Sequence, residues 1–180
     1  MTQPVVIIVP GLGNSGPEHW QSYWESSYPG ATRVVQDDWE RPELQGWVAR
    51  LQDTIERVKA PVVLVAHSLA CSLVGHWAVR HGPGRVRAAL LVSPADVDSP
   101  AHTPAEVRGF APMPLARLRF NTTVIASEDD PYVDLGRARA FAAAWGAQFV
   151  CIGKAGHINA QSGLGPWMEG QGYLRKLMET

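Results

Sequence analysis

Three short stretches carry residue types that could do acyl-transfer chemistry together. The first is "VAHSLA", residues 65–70, where an apolar, β-branched run stops at Ser68 and a helical pattern begins at once. A tight strand-to-helix turn at that joint lifts a serine hydroxyl clear of the backbone. It also sets the next backbone N–H, at a helix N-terminus, beside any developing negative charge. Such a turn crowds the positions two residues to either side, which must be small. The usual pattern is G-x-S-x-G, and here Ala66 and Ala70 replace both glycines. The bland alternative is that Ser68 caps the following helix, a common serine role worth about 1 kcal/mol.

A serine nucleophile needs a base, and a carboxylate to orient that base. Six histidines compete. His67 adjoins Ser68 but leaves the strand on a different side. His76 and His81 sit along the following helix, His102 in a proline-rich stretch, and His19 near the first helix. His157 lies in "VCIGKAGHINAQSG", a glycine-flanked loop after the last strand run, from which it can lean over the sheet towards Ser68. The acid is sought in "ASEDDPYVD", where Asp129 and Asp130 follow a strand run. Asp130 is favoured, although its place before Pro131 also suits a helix N-cap. Asp96, in "LVSPAD" after another strand run, is a rival.

The loop "VPGLGNSGPEHW" after the first strand run is the natural source of a second oxyanion donor. Leu12 N–H is the expected donor beside that of Leu69, and Gly11, Gly13 and Gly16 permit a close backbone approach. Those glycines also have the G-x-G-x-x-G spacing of a dinucleotide fingerprint, with Asp37 or Asp38 as its acidic residue. Against that reading, Pro17-Glu18 sets an anion where the pyrophosphate would bind, and the Lys-Ser/Thr ending of a P-loop is missing. It would also leave Ser68, Asp130 and His157 unexplained.

The elements that must position these residues are legible as continuous apolar runs at 5–9, 62–66, 88–93, 122–127 and 148–152, with a weaker one at 32–36. Unbroken runs, rather than alternating ones, mark strands buried on both faces of a parallel sheet. Helical patterns fall between them at 17–27, 43–58, 69–81, 131–145 and 165–178. The third carries Leu69, Leu73, Val74, Trp77 and Ala78 on one face, and the fourth is expected to open at Asp130-Pro131. Alternating strand and helix predicts a doubly wound α/β fold. Residues 94–120 break the rhythm with Pro94, Pro100, Pro104, Pro112 and Pro114. They are read as an excursion over the top of the sheet within one domain spanning 1–180.

The composition excludes several function classes. At 180 residues the chain can bury roughly 70% of its unfolded surface in one core. Its 16 Lys and Arg against 17 Asp and Glu suggest neither nucleic acid nor an anionic membrane as partner. No apolar run approaches the roughly 18 residues that span a bilayer. The N-terminus lacks a basic n-region, so no signal peptide is expected. Cys71 and Cys151 have no metal-ligand spacing and are expected as buried thiols, which points to the cytoplasm.

Taken together, "PGLGNSGPEHW", "VAHSLA", "LVSPADVD", "SEDDPYV" and "GHINAQSGLGPW" resemble the small α/β-hydrolases of the retinoblastoma-binding protein nine and YdeN type. The resemblance runs almost end to end, with five motifs in the right order. It implies a compact α/β-hydrolase fold with about six, mostly parallel strands. It also implies a serine esterase whose nucleophile, acid and base fall on Ser68, Asp130 and His157, with Leu12 and Leu69 as oxyanion donors. One branch of that family is named for binding a protein partner, so a hydrolase fold acting mainly as an interaction module is the alternative function.

The implied chemistry is hydrolysis of small acyl esters through an acyl-enzyme, with no metal or cofactor. The rate should fall below roughly pH 6–7, where a free imidazole protonates. Pocket walls are expected from His19, Trp20, Phe110 and Met113, with Leu115 and Trp167 as further candidates. Ester, thioester and amide substrates share this apparatus, and the residues do not separate them.

Overall fold

The computed structural model describes residues 3–179. Six strands, β1 (Val5–Val9), β2 (Thr32–Arg33), β3 (Val62–His67), β4 (Val86–Val92), β5 (Asn121–Ala126) and β6 (Gln148–Cys151), form one sheet in the order β2-β1-β3-β4-β5-β6. Every neighbouring pair is parallel. Five helices connect and flank them: α1 (Trp20–Ser27), α2 (Leu44–Arg57), α3 (Leu69–His81), α4 (Leu135–Trp145) and α5 (Met168–Met178).

The unbroken apolar runs have the expected cause. Alternate residues of each central strand serve opposite faces of the sheet. Ile7, Val9, Leu64, Ala66, Ala89 and Leu91 pack with Trp47 and Leu51 of α2, Leu73 and Trp77 of α3, and Phe141 and Trp145 of α4. Val6, Ile8, Val63, Val65, Leu90 and Val92 pack on the other face with Trp20 and Trp24 of α1 and Leu174 of α5. Burying a residue on either face favours an apolar one at nearly every position.

From β1 the chain steps outward to β2, then returns past β1 to β3 and continues the other way. The carboxyl ends of β1 and β3 therefore diverge, and ligands bind at such a fork. Gln21, fully buried, spans it: its amide donates to Val9 O at 3.2 Å and to Val65 O at 3.0 Å.

Two boundaries differ from expectation. The 131–145 helix starts only at Leu135, with Asp134 before it, so Asp130 is not its N-cap. The excursion is partly core: a single 3-10 turn, Ala105–Phe110, buries Val107 and Phe110. Arg108 ties the segment to itself through Val97 O at 2.7 Å and Thr103 Oγ1 at 2.7 Å. Among the described residues no helix is long and apolar enough to cross a membrane.

Candidate active site

Ser68 stands between β3 and α3 with φ 60° and ψ −123°. A non-glycine residue at positive φ is strained by roughly 1–3 kcal/mol and needs surroundings that over-determine it. Ser68 N–H donates to Val92 O at 3.0 Å, which ties the turn to β4. Its side chain makes no cap bond to α3. Instead, Ser68 Oγ lies 2.8 Å from His157 Nε2.

On the other side of that ring, His157 Nδ1 lies 2.9 Å from each oxygen of Asp130. Nδ1 faces a carboxylate, which can only accept, so it carries the proton in the neutral ring. Nε2 is then the acceptor for the serine hydroxyl. The Asp130 side chain is fully buried and its Oδ1 also accepts the Tyr132 N–H at 2.9 Å. The fold thus brings together three residues from the ends of β3, β5 and β6. Asp96 is spoken for elsewhere: Arg137 grips it through Nε at 2.9 Å and a second nitrogen at 3.1 Å.

The loop after β1 packs directly on the serine turn. A Cβ on Gly11 would stand 2.8 Å from His67 O, 3.1 Å from Ser68 Cβ and 3.2 Å from Leu69 N, so only glycine allows this approach. The next residue, Leu12, and Leu69 at the start of α3 both line the cavity with Ser68. Among the described residues neither amide N–H meets a protein acceptor. For Leu69 this follows from its position, since first-turn amides have no partner within the helix.

The loops bearing Asp130 and His157 are clasped together. Ser127 Oγ donates to Asp129 Oδ1 at 2.8 Å and accepts Ala155 N–H at 2.9 Å, while Asp129 Oδ1 accepts Gly156 N–H at 2.9 Å. Those N–H and hydroxyl donors hold the exposed Asp129 carboxyl below its usual range. Asp129 is thus a tie between loops, one residue from the carboxylate that meets His157.

His67, set aside in the sequence for its direction, packs against His157. Its Nε2–H donates to the backbone carbonyl of His157 at 2.9 Å. The rings of His19, His67 and His157 follow one another at centroid spacings of 4.7 and 4.8 Å. Burial, aided by the neighbouring imidazoles, keeps His67 neutral well below the ordinary histidine range. Burial, then Arg33 and His157, lower His19 to about 4. Cys71, three residues past the serine, is buried and its thiol is pushed up by that burial, which makes it inert.

A cavity of about 240 Å³ opens over Ser68. Its walls are Leu12, Asn14 and His19 from the first loop, Thr103, Pro104 and Val107 from the excursion, and Tyr132 and Asn159 beside His157. Of the expected wall residues only His19 is among them. Trp20 faces the core and supports the His157 loop through its indole N–H, 2.7 Å from Ile158 O. Phe110 and Met113 are buried against α2 and α3, Trp167 stacks on Trp24, and Leu115 is exposed away from the cavity. Apolar side chains in the excursion serve the core first, and no periodicity marks which remain for the cavity. A larger groove of about 650 Å³ lies along the β2 edge, lined by Arg33, Arg50 and Arg57, but has no serine, cysteine or histidine. Among the described residues no cluster of His, Cys, Asp or Glu could hold a metal ion.

The family model for serine hydrolases matches residues 6–176. The chain belongs to the serine hydrolase family. A YdeN-like hydrolase from Pectobacterium atrosepticum is 33% identical, with 98% of this chain and 91% of that one covered at a TM-score of 0.87. The ydeN gene product of B. subtilis is 19% identical, covering 98% and 100%, with a TM-score of 0.78. Est1E from Butyrivibrio proteoclasticus, at 13% identity, covers 99% and 90% with a TM-score of 0.76. The latter two share the fold. A search of curated protein sequences returns no match. The fold of this serine hydrolase is thus the α/β-hydrolase fold, as its motifs imply.

Proposed function

We propose that this hydrolase is a carboxylesterase acting on small acyl esters, with Ser68 as nucleophile, His157 as base and Asp130 as its orienting acid. The observation that carries the proposal is the run of contacts from Ser68 Oγ to His157 Nε2 at 2.8 Å and from His157 Nδ1 to Asp130 at 2.9 Å. Ser68 Oγ attacks the acyl carbonyl while its proton passes to His157 Nε2. The Leu12 and Leu69 N–H groups hold the oxyanion, each worth on the order of 10²–10³ in rate. Collapse expels the alcohol, which takes the proton from His157, and water then cleaves the acyl-serine by the same steps.

Asp130 keeps the imidazole in its Nδ1–H form and stabilises the imidazolium as it appears. The cavity of about 240 Å³ suits short acyl chains better than long ones. The free thiols of Cys71 and Cys151 suit a reducing compartment such as the cytoplasm. A purely protein-binding role would leave the hydrogen bonds joining Ser68, His157 and Asp130, and the strained serine turn, without a task.

The test is intact-mass labelling with a fluorophosphonate probe on the wild type and Ser68→Ala. One adduct on the wild type and none on the variant is the expected result. No adduct on folded wild-type protein would overturn the proposal.

A further inference from the structure

His19 has a polar atom that the fold itself does not use. Its ring lines the cavity over Ser68 and is only 4% exposed. Nδ1 accepts the Gln21 N–H at 3.1 Å as the N-cap of α1. A nitrogen that accepts bears a lone pair, so the neutral ring must carry its proton on Nε2. Burial holds the ring neutral down to about pH 4. Yet Nε2 is buried and, among the described residues, has no hydrogen-bond partner. Buried donors are rarely left so. Asn, Asp or Ser would cap α1 as well or better. What histidine adds at this position is the far N–H, on a ring that lines the same cavity as Ser68.

The remaining walls limit what that N–H can meet. Leu12, Leu69, Ala95, Pro104, Val107 and Tyr132 are largely apolar, Asn14, Thr103 and Asn159 are polar but uncharged, and no Lys, Arg, Asp or Glu lines the cavity. A charged substrate group would be buried there without a counter-charge, which is strongly unfavourable.

We propose that the substrate is a small, uncharged ester bearing a second hydrogen-bond acceptor, and that His19 selects it by donating from Nε2–H to that acceptor. This rests on the hydrolase reading of the site. His19 is thereby a specificity-determining residue, and chain length alone does not define the substrate.

The experiment compares wild type with His19→Asn, which keeps a capping oxygen for Gln21 N–H but withdraws the reaching donor. Two isosteric pairs are assayed: phenyl methoxyacetate against phenyl butyrate, and 2-methoxyethyl acetate against butyl acetate. The first places the ether acceptor on the acyl side and the second on the alcohol side. The kcat/KM ratio within each pair, wild type over variant, cancels intrinsic reactivity. For at least one pair the wild type is expected to favour the acceptor-bearing ester about fivefold to tenfold more than the variant does. Equal ratios in both pairs would overturn the inference and leave the N–H simply lodged against the His67 ring. Histidine ¹⁵N spectra of the wild type give a second reading that does not depend on the variant folding. His19 should show the Nε2–H form across neutral pH, and an Nδ1–H form would overturn the assignment. Failure of Ser68 to label in the wild type is a separate result, which removes the hydrolase reading and this inference with it.

Discussion

His67 Nε2–H donates to the backbone carbonyl of His157 at 2.9 Å, so the residue preceding the serine holds the loop of the proposed base. The two loops come from strands β3 and β6, which are not neighbours in the sheet. This bond makes the Ser68–His157 distance a property of the fold rather than of two independent loops. His67→Phe keeps a flat aromatic ring but strands a buried carbonyl, a loss of about 1–3 kcal/mol. The expected outcome is a kcat at least tenfold lower with KM little changed, read by ester hydrolysis beside thermal unfolding. Wild-type kcat in a folded variant would rule out the positioning role.

The choice of acid separates cleanly by mutation. Asp130→Asn should lower kcat by about 10⁴, since an amide no longer fixes the Nδ1–H tautomer. Asp96→Asn weakens the grip of Arg137 and should lower the melting temperature while leaving kcat within a few-fold. If Asp96→Asn proved the more damaging to kcat, the assignment of the acid would be wrong.

Gly11→Ala tests the proposed oxyanion donors. The added methyl would press on His67 O and Leu69 N and push the loop away from the serine turn. Loss of the Leu12 contribution predicts a kcat lower by about 10². The decisive comparison is with Gly16→Ala, whose Cβ would meet nothing within 4 Å and which should remain active.

Stability should depend on pH through the buried imidazoles. His19 has a folded-state value of about 4 against 6.5 when exposed, so between these limits the unfolded chain binds more protons. Stability is therefore complete above pH 6.5 and falls as pH drops through that window, by on the order of 3 kcal/mol from His19 alone. His67 is shifted in the same direction and adds to the loss. Urea unfolding at pH 8, 6 and 5 measures this, and a flat profile would contradict neutral burial of both rings.

Acyl-chain preference follows from the cavity of about 240 Å³ between Leu12, Val107 and Tyr132. Acetyl to butyryl esters should exceed octanoyl esters in kcat/KM. Val107→Ala should shift the preference one or two carbons longer. A wild type that favours octanoyl esters would mean that the walls around Val107 move aside.

The strands, their parallel pairing and most helices were determined by the residues alone, because burial on two faces imposes an unbroken apolar run and burial on one helical face imposes a period of 3.6 residues. The serine turn was legible for the same local reason: Ser68 sits where the two patterns meet, between small residues. Asp130 and His157 could be nominated from their places after strands. Contact between them is a long-range fact, decided by loop paths that no period records. Asp130 was favoured over Asp96 and Asp129 by its place in the sequence, but nothing there fixed the partner of any of the three. Only packing gave Asp129 to Gly156, Asp96 to Arg137 and Asp130 to His157. The cavity wall was hidden for the same reason. Trp20, Phe110 and Met113 are apolar and near the site in sequence, but the core claimed them, while Asn14, Thr103 and Asn159 reached the cavity through turns that side-chain type does not announce.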